Sequence, residues 1–194
     1  MGESRLTKDV KRLKQNLGEL PEPVVDPALV VVCGLPGTGK SYFCRKLAER
    51  LPFVIIESDA FQRVLFPSPN YSRRESSYLF DACHLLIEKL LGKGIPVILD
   101  ATNLQERNRE HLYHIADIVG AKLIMVNVKA PAELVHQRLD GRRNSPEDKS
   151  DADWTVYQRM EPTVQRIGRN YFVLDTSRDI TPVIEKIVRQ VKRG

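Results

Sequence analysis

Residues 29–41 read Leu29-Val30-Val31-Val32-Cys33-Gly34-Leu35-Pro36-Gly37-Thr38-Gly39-Lys40-Ser41. The first five form an unbroken apolar run, the pattern of a strand covered on both faces, and the run stops at Gly34. Gly34 to Ser41 satisfies G-x-x-x-x-G-K-[ST], and helical spacing resumes at Lys40 and lasts to about Arg50, so the motif sits in the strand-to-helix context that it requires. The residue types explain one another. Glycines let a backbone turn its N–H groups inward into an anion-binding nest, and the following helix adds the partial positive charge of its N-terminus. Lys40 supplies a point charge for β- and γ-phosphates, and the Ser41 hydroxyl suits Mg²⁺, a hard cation that takes oxygen ligands. Gly34, Leu35, Pro36, Gly37, Thr38, Gly39, Lys40, Ser41 and the adjoining Tyr42 are therefore the expected ATP-binding residues.

Outward from this stretch, strands and helices alternate. Phe53 to Ile56 reads as the second strand, Val97 to Leu99 as the third, Leu123 to Val128 as the fourth and Tyr171 to Leu174 as the fifth. Ser72 and Glu75 form a capping-box pattern before a long helix that Gly92 is expected to end. Asn103, with Glu106 three residues on, is read as the start of the next helix, and Gly120 as its stop. Pro131 is read as opening a helix to about Asp140, and the last helix carries Ile184, Ile187, Val188 and Val191 inward. The pattern predicts an α/β three-layer domain over residues 28–194, with a parallel five-stranded sheet, helices on both faces and a helical lid at about 131–161. Ahead of it, Leu6, Val10, Leu13 and Leu17 predict a short amphipathic helix, lying on the domain or on a partner, and Pro21, Pro23 and Pro27 a stiff linker, so 1–27 is read as a separate N-terminal unit.

In open α/β sheets ligands bind beyond the carboxyl ends of the strands, and two acids fall there. Asp100 closes the apolar run Val97-Ile98-Leu99, the pattern of a carboxylate that orders a metal and its waters, so Ser41 and Asp100 are the expected Mg²⁺ residues. Asp59 follows the second strand, where a carboxylate can take the proton of an attacking hydroxyl. Either acid also suits a helix cap. Arg138 and Arg142 share a helix face four residues apart and precede the polar stretch Asn144 to Asp151, as suits a lid that brings arginine over a transferring phosphate. Arg63, one helical turn beyond Asp59, is placed to meet an anionic part of the acceptor.

The chain has 194 residues, 42% hydrophobic and 28% charged, enough for a core without metal or disulfide staples. A formal charge of +5 suits a handler of polyphosphate without announcing nucleic acid. No apolar run reaches membrane-span length, and residues 1–20 carry charges throughout, unlike a signal peptide. Cys33, Cys44 and Cys83, without C-x-x-C spacing, read as buried reduced thiols of a cytoplasmic protein. The histidines form no metal-ligand set, and Trp154, Tyr157 and Met160 read as core beneath the lid.

Gly34 to Ser41, Ser58-Asp59 with a nearby arginine, Asp100-Ala101-Thr102-Asn103-Leu104 with Arg107, and Arg138-x-x-x-Arg142 together resemble the polynucleotide-kinase-like and zeta-toxin-like P-loop kinases, over about residues 28–192. The resemblance implies that Asp59 is the general base, that Arg142 meets the transferring phosphate and Arg138 the donor phosphates, and that Asp100, Thr102, Asn103 and Arg107 border the acceptor. One departure stands out. In polynucleotide 5′-hydroxyl kinases the substrate arginine lies three residues after the base, whereas position 62 is Gln62 and the arginine is Arg63. The expected activity is transfer of the γ-phosphate of ATP to a hydroxyl of a small molecule. Alternatives are a polynucleotide 5′-hydroxyl kinase, which would make nucleic acid the partner, and a nucleotide-dependent switch of low turnover.

Overall fold

A computed structural model describes residues 3–70, 72–142 and 152–193. The sheet has five parallel strands in the order β2-β3-β1-β4-β5: β1 is Ala28–Cys33, β2 Val54–Glu57, β3 Val97–Asp100, β4 Lys122–Lys129 and β5 Tyr171–Asp175. The chain leaves β1 to one side, returns through β3, then crosses to β4 on the other side. The order reverses at β1, and the crevice at such a point is where these sheets bind ligands.

Every residue of β1 is buried, because helices cover both faces. Leu29, Val31 and Cys33 join one core with α1 (Arg5–Gln15), α3 (Ser58–Leu65), α4 (Arg73–Leu91) and α5 (Glu106–Val119). Ala28, Val30 and Val32 join a second with α2 (Lys40–Ala48) and α8 (Thr181–Lys192). The two sets alternate along the strand, as a period of two demands. A third, small core lies apart: Val135 and Leu139 of α6 (Ala132–Arg142) meet Tyr157 of α7 (Trp154–Met160), with Leu35 and Trp154 against them. There Trp154 stacks on Tyr157 at 4.7 Å and takes the edge of His136 at 4.6 Å.

The N-terminal helix lies on the domain. Ser4 caps α1 by accepting the Thr7 N–H at 3.2 Å, and Val10 and Leu13 enter the first core. Burying such side chains stabilises by about 1.5–3 kcal/mol each. Tyr78 of α4 donates to Asp9 at 2.6 Å, and Arg5 lies over the Tyr78 ring. Among the described residues no helix is long and apolar enough to cross a membrane.

Several boundaries differ from those read in the sequence. α3 is an additional helix that follows β2 directly; its N-cap, Glu57, makes no side-chain cap bond, so no capping signal marks it. Ser72 accepts from the Glu75 N–H, but Glu75 turns its carboxylate to Gln62 and the Asn70 N–H, so the capping box is half formed. Gly92 does end α4 as its C-cap, but it stays right-handed and Gly94 takes the positive φ. Pro131 precedes α6 rather than opening it. Asn103 is not the cap of α5; Gln105 is, because Asn103 is turned inward to β1.

All three cysteines are free and buried. Burial pushes the thiols of Cys33 and Cys83 up to about 12 and raises that of Cys44 as well, so at pH 8 almost no thiolate forms. Ellman's reagent is expected to find no fast-reacting thiol in the native protein and three after denaturation. One equivalent released within the mixing time from native protein would contradict this packing.

Candidate active site

The loop between β1 and α2 is shaped by its neighbours. The Gly34 N–H donates to the Thr102 carbonyl at 3.0 Å, and a Cβ at Gly34 would run into the carbonyl oxygen of Val128. Any side chain there would push the loop off β4. Gly39 caps α2 with φ 93°, a conformation that glycine adopts without strain. Between them Thr38 bonds the Leu35 carbonyl through its hydroxyl at 2.8 Å, and Lys40 reaches the same carbonyl at 3.0 Å. The loop thus brings together backbone amides, a helix N-terminus and an ammonium, the donor set for a polyphosphate.

Arg138 of α6 ties this loop to the far edge of the sheet. It donates to Thr176, just past β5, through the hydroxyl at 2.8 Å and the carbonyl at 3.0 Å, and approaches the Gly37 carbonyl at 3.4 Å. Thr176 in turn donates to the Thr38 carbonyl at 2.7 Å. Beside these groups opens a cavity of about 870 Å³, lined by Gly37, Gly39, Tyr42, Arg138 and, from the end of β5 into α8, Thr176 and Arg178 to Thr181. It is large enough for a nucleoside next to the loop. Sequence reasoning reached Tyr42 and Arg138 but missed Thr176 and the 178–181 turn, which carry no motif.

The carboxylates gather at the ends of β2 and β3. Asp100 is 6% exposed and within electrostatic reach of Ser41, Lys40, Glu57 and Asp59. Burial raises its carboxyl above the ordinary value; Lys40 and the Ser41 hydroxyl pull it back, and the two neighbouring acids push it up again. Glu57 is the register partner of Asp100 on the adjacent strand, and it too was missed. An oxygen-only set of a serine hydroxyl and a buried carboxylate, opposed by a single lysine, fits Mg²⁺. Asp59 is exposed at the first turn of α3, held lightly by the Ser58 hydroxyl at 3.4 Å.

The remaining predicted residues are spread more widely. Arg63, on α3, and Arg107, on α5, are both exposed. Thr102 is half-buried, its carbonyl bound to Gly34. Asn103 is 1% exposed, with φ 46°, and its amide donates to the Val32 carbonyl at 2.7 Å; it is an interior residue, not an open side chain. Arg142 ends α6, four residues after Arg138, but its side chain lies outside the described residues, as do Arg143 and the polar stretch 144–151.

The profile of the AAA domain family (AAA_33) matches residues 29–167. Over 115 residues the chain is 31% identical to the L-seryl-tRNA(Sec) kinase of Methanococcus maripaludis, covering 57% of this chain and 44% of that protein. The chain thus spans less than half the length of the curated relatives it matches. Among solved structures, Kti12 of Chaetomium thermophilum, in complex with ADP-AlF3, superposes with a TM-score of 0.67 at 20% identity, covering 86% of this chain and all of that one (100%). The APS kinase CysC of Mycobacterium tuberculosis, in complex with AMPPNP and APS, gives 0.67 at 15% identity over 88% and 99%. These two likenesses share the three-layer fold. With its loop, acids and sheet order in the places described, the chain belongs to the AAA domain family.

Proposed function

We propose that this protein is a kinase that moves the γ-phosphate of ATP to a hydroxyl of a small-molecule acceptor. The observation that carries the reading is the meeting of Lys40, Ser41, Asp59 and Asp100 at the carboxyl ends of three adjacent strands, beside the cavity that opens onto Arg138. In this reading the amides of Gly34 to Ser41 and the Lys40 ammonium hold the phosphates, and Tyr42 and Arg138 border the nucleotide. Ser41 and Asp100 hold Mg²⁺, which supplies charge neutralisation of the phosphate oxygens when bound. Asp59, exposed and flanking that cluster, accepts the hydroxyl proton as the new P–O bond forms and the bond to the ADP oxygen breaks. Arg142 is assigned to the transferring phosphate, and Arg63, Thr102 and Arg107 to the acceptor side.

The kinase among the relatives that acts on seryl-tRNA favours a second reading, a hydroxyl carried on nucleic acid. Exposed Arg63 would then grip a backbone phosphate, and binding would weaken steeply with salt.

The deciding experiment measures ADP release with alcohols, sugars, nucleosides, 5′-hydroxyl oligonucleotides and seryl-tRNA, in wild type and Lys40→Ala. Acceptor-dependent turnover that Lys40→Ala abolishes supports the kinase. Tight MgATP binding with no acceptor-dependent turnover would leave a nucleotide-dependent switch. Asp59→Asn is expected to keep ATP affinity and lower kcat by about 10²-fold or more, the scale of a positioned base. Loss of ATP binding instead would move Asp59 to the metal.

Asp100 permits a test on stability. Its carboxyl is raised in the folded state, so folding disfavours its charged form. That penalty is present above the raised folded value, shrinks as pH falls through it, and is gone below the ordinary carboxylate value. Asp100→Asn is therefore expected to raise the melting temperature of the nucleotide-free, chelator-treated protein at pH 7, and the gap to wild type is expected to close on acidification. The same variant should lose most of the stabilisation that MgATP gives wild type. A lower melting temperature than wild type at pH 7 without ligand would contradict the assignment.

A further inference from the structure

Arg109 is the largest fully buried side chain of the molecule's described part and takes no role in the chemistry above. Its guanidinium donates through Nε to Glu106 at 2.7 Å, and Nη2 lies 2.6 Å from the same carboxylate oxygen. Nη1 donates to the Asn103 carbonyl at 2.6 Å, and Nη2 to the carbonyls of Gln165 at 3.0 Å and Arg166 at 2.7 Å. The other Glu106 oxygen accepts the Gly168 N–H at 3.1 Å, while the Glu106 N–H donates to the Gln165 side chain at 2.7 Å and the Gln165 N–H to the Leu104 carbonyl at 2.9 Å. Two segments more than fifty residues apart are thus laced together around one buried cation.

Packing alone does not call for this residue. A buried ion pair costs desolvation that a hydrophobic side chain of similar size avoids. Only a planar fork of five donors can hold a carboxylate and three carbonyls from two loops at once. One of those carbonyls belongs to Asn103, a non-glycine residue at φ 46°, whose amide is fixed from the other side by Val32. The preceding residue, Thr102, offers its carbonyl to Gly34, the first residue of the phosphate loop.

We propose that Arg109 is a positioning residue for phosphoryl transfer: through the Asn103 carbonyl it fixes the turn at Thr102–Asn103, and through Gln165 and Arg166 it sets the segment returning from α7 against that turn, so that the acceptor side of the cleft is held in register with the phosphate loop. This rests on the reading of that turn as bordering the acceptor. Arg109 acts through the turn and touches neither nucleotide nor acceptor.

The test uses Arg109→Lys, whose ammonium cannot reach all four partners, and Gln165→Ala, an exposed change that removes one cross-loop bond. Amide hydrogen exchange reads the lacing directly. In Arg109→Lys, exchange at Gly34, Gln165 and Gly168 is expected to speed up about tenfold, with Phe43 and Val24, whose amides are bonded elsewhere, unchanged. With an acceptor found in the panel above, the acceptor KM should rise about tenfold while the ATP KM stays within about twofold, the split of a lost acceptor-side geometry. Unchanged exchange at the three amides, uniform acceleration across all five, or equal rises in both KM values would overturn the proposal. If Arg109→Lys does not fold, Gln165→Ala is expected to show the same selective pattern at about threefold, and its absence there overturns the proposal equally. If no panel member is phosphorylated, the kinase reading fails, and the exchange pattern alone decides whether Arg109 fixes the turn.

Discussion

The place of the phosphate loop follows from how β1 is enclosed. The strand has neighbours on both edges and helices on both faces, so its chain can leave only at the end. There Gly34 is held between the Thr102 carbonyl, which takes its N–H, and the Val128 carbonyl, which leaves no room for a side chain. The next residues must turn sharply into α2, and the amides of that turn find few backbone partners. Enclosure of one apolar strand thereby creates a concave row of donors, and β3 and β4 supply the groups on either side of it.

The same enclosure sets the chemistry of the acids. β3 is buried from Val97 to Asp100, so the carboxylate at its end is desolvated by the fold that presents it. Asp59 escapes this by standing after β2, at the start of α3, where it is exposed. Two carboxylates close enough to influence each other thus have opposite surroundings, one dry and beside Ser41, the other wet. Differences of this kind let neighbouring acids take different parts in one reaction.

What the sequence made legible was local. The apolar run before Gly34, the loop motif, and the charged residue closing Val97 to Leu99 each depend on adjacent residues, and the five strands and their layers followed from the alternation. Contacts across the chain were not readable. Thr176 meets Thr38 and Arg138 only because β5 lies at the sheet edge beside β4, and Arg109 meets Gln165 only after α7 has returned. Asn103 was read as a cap because an Asn three residues before a Glu fits that pattern, whereas its amide is drawn into the core by Val32. α3 was legible only as the one-turn spacing of Asp59 and Arg63, because its start at Glu57 makes no capping bond that would announce it.

The small third core has an optical consequence. Trp154 is the chain's sole tryptophan. It stacks on Tyr157 and meets the edge of His136, in a cluster that also contains Leu35 of the phosphate loop. Its emission is therefore a built-in reporter of how α6 and α7 sit on that loop. With both rings packed against the indole, the intensity responds to displacement of either helix. A ligand that displaces α6 or α7 from that loop would be read by this signal with no dye attached.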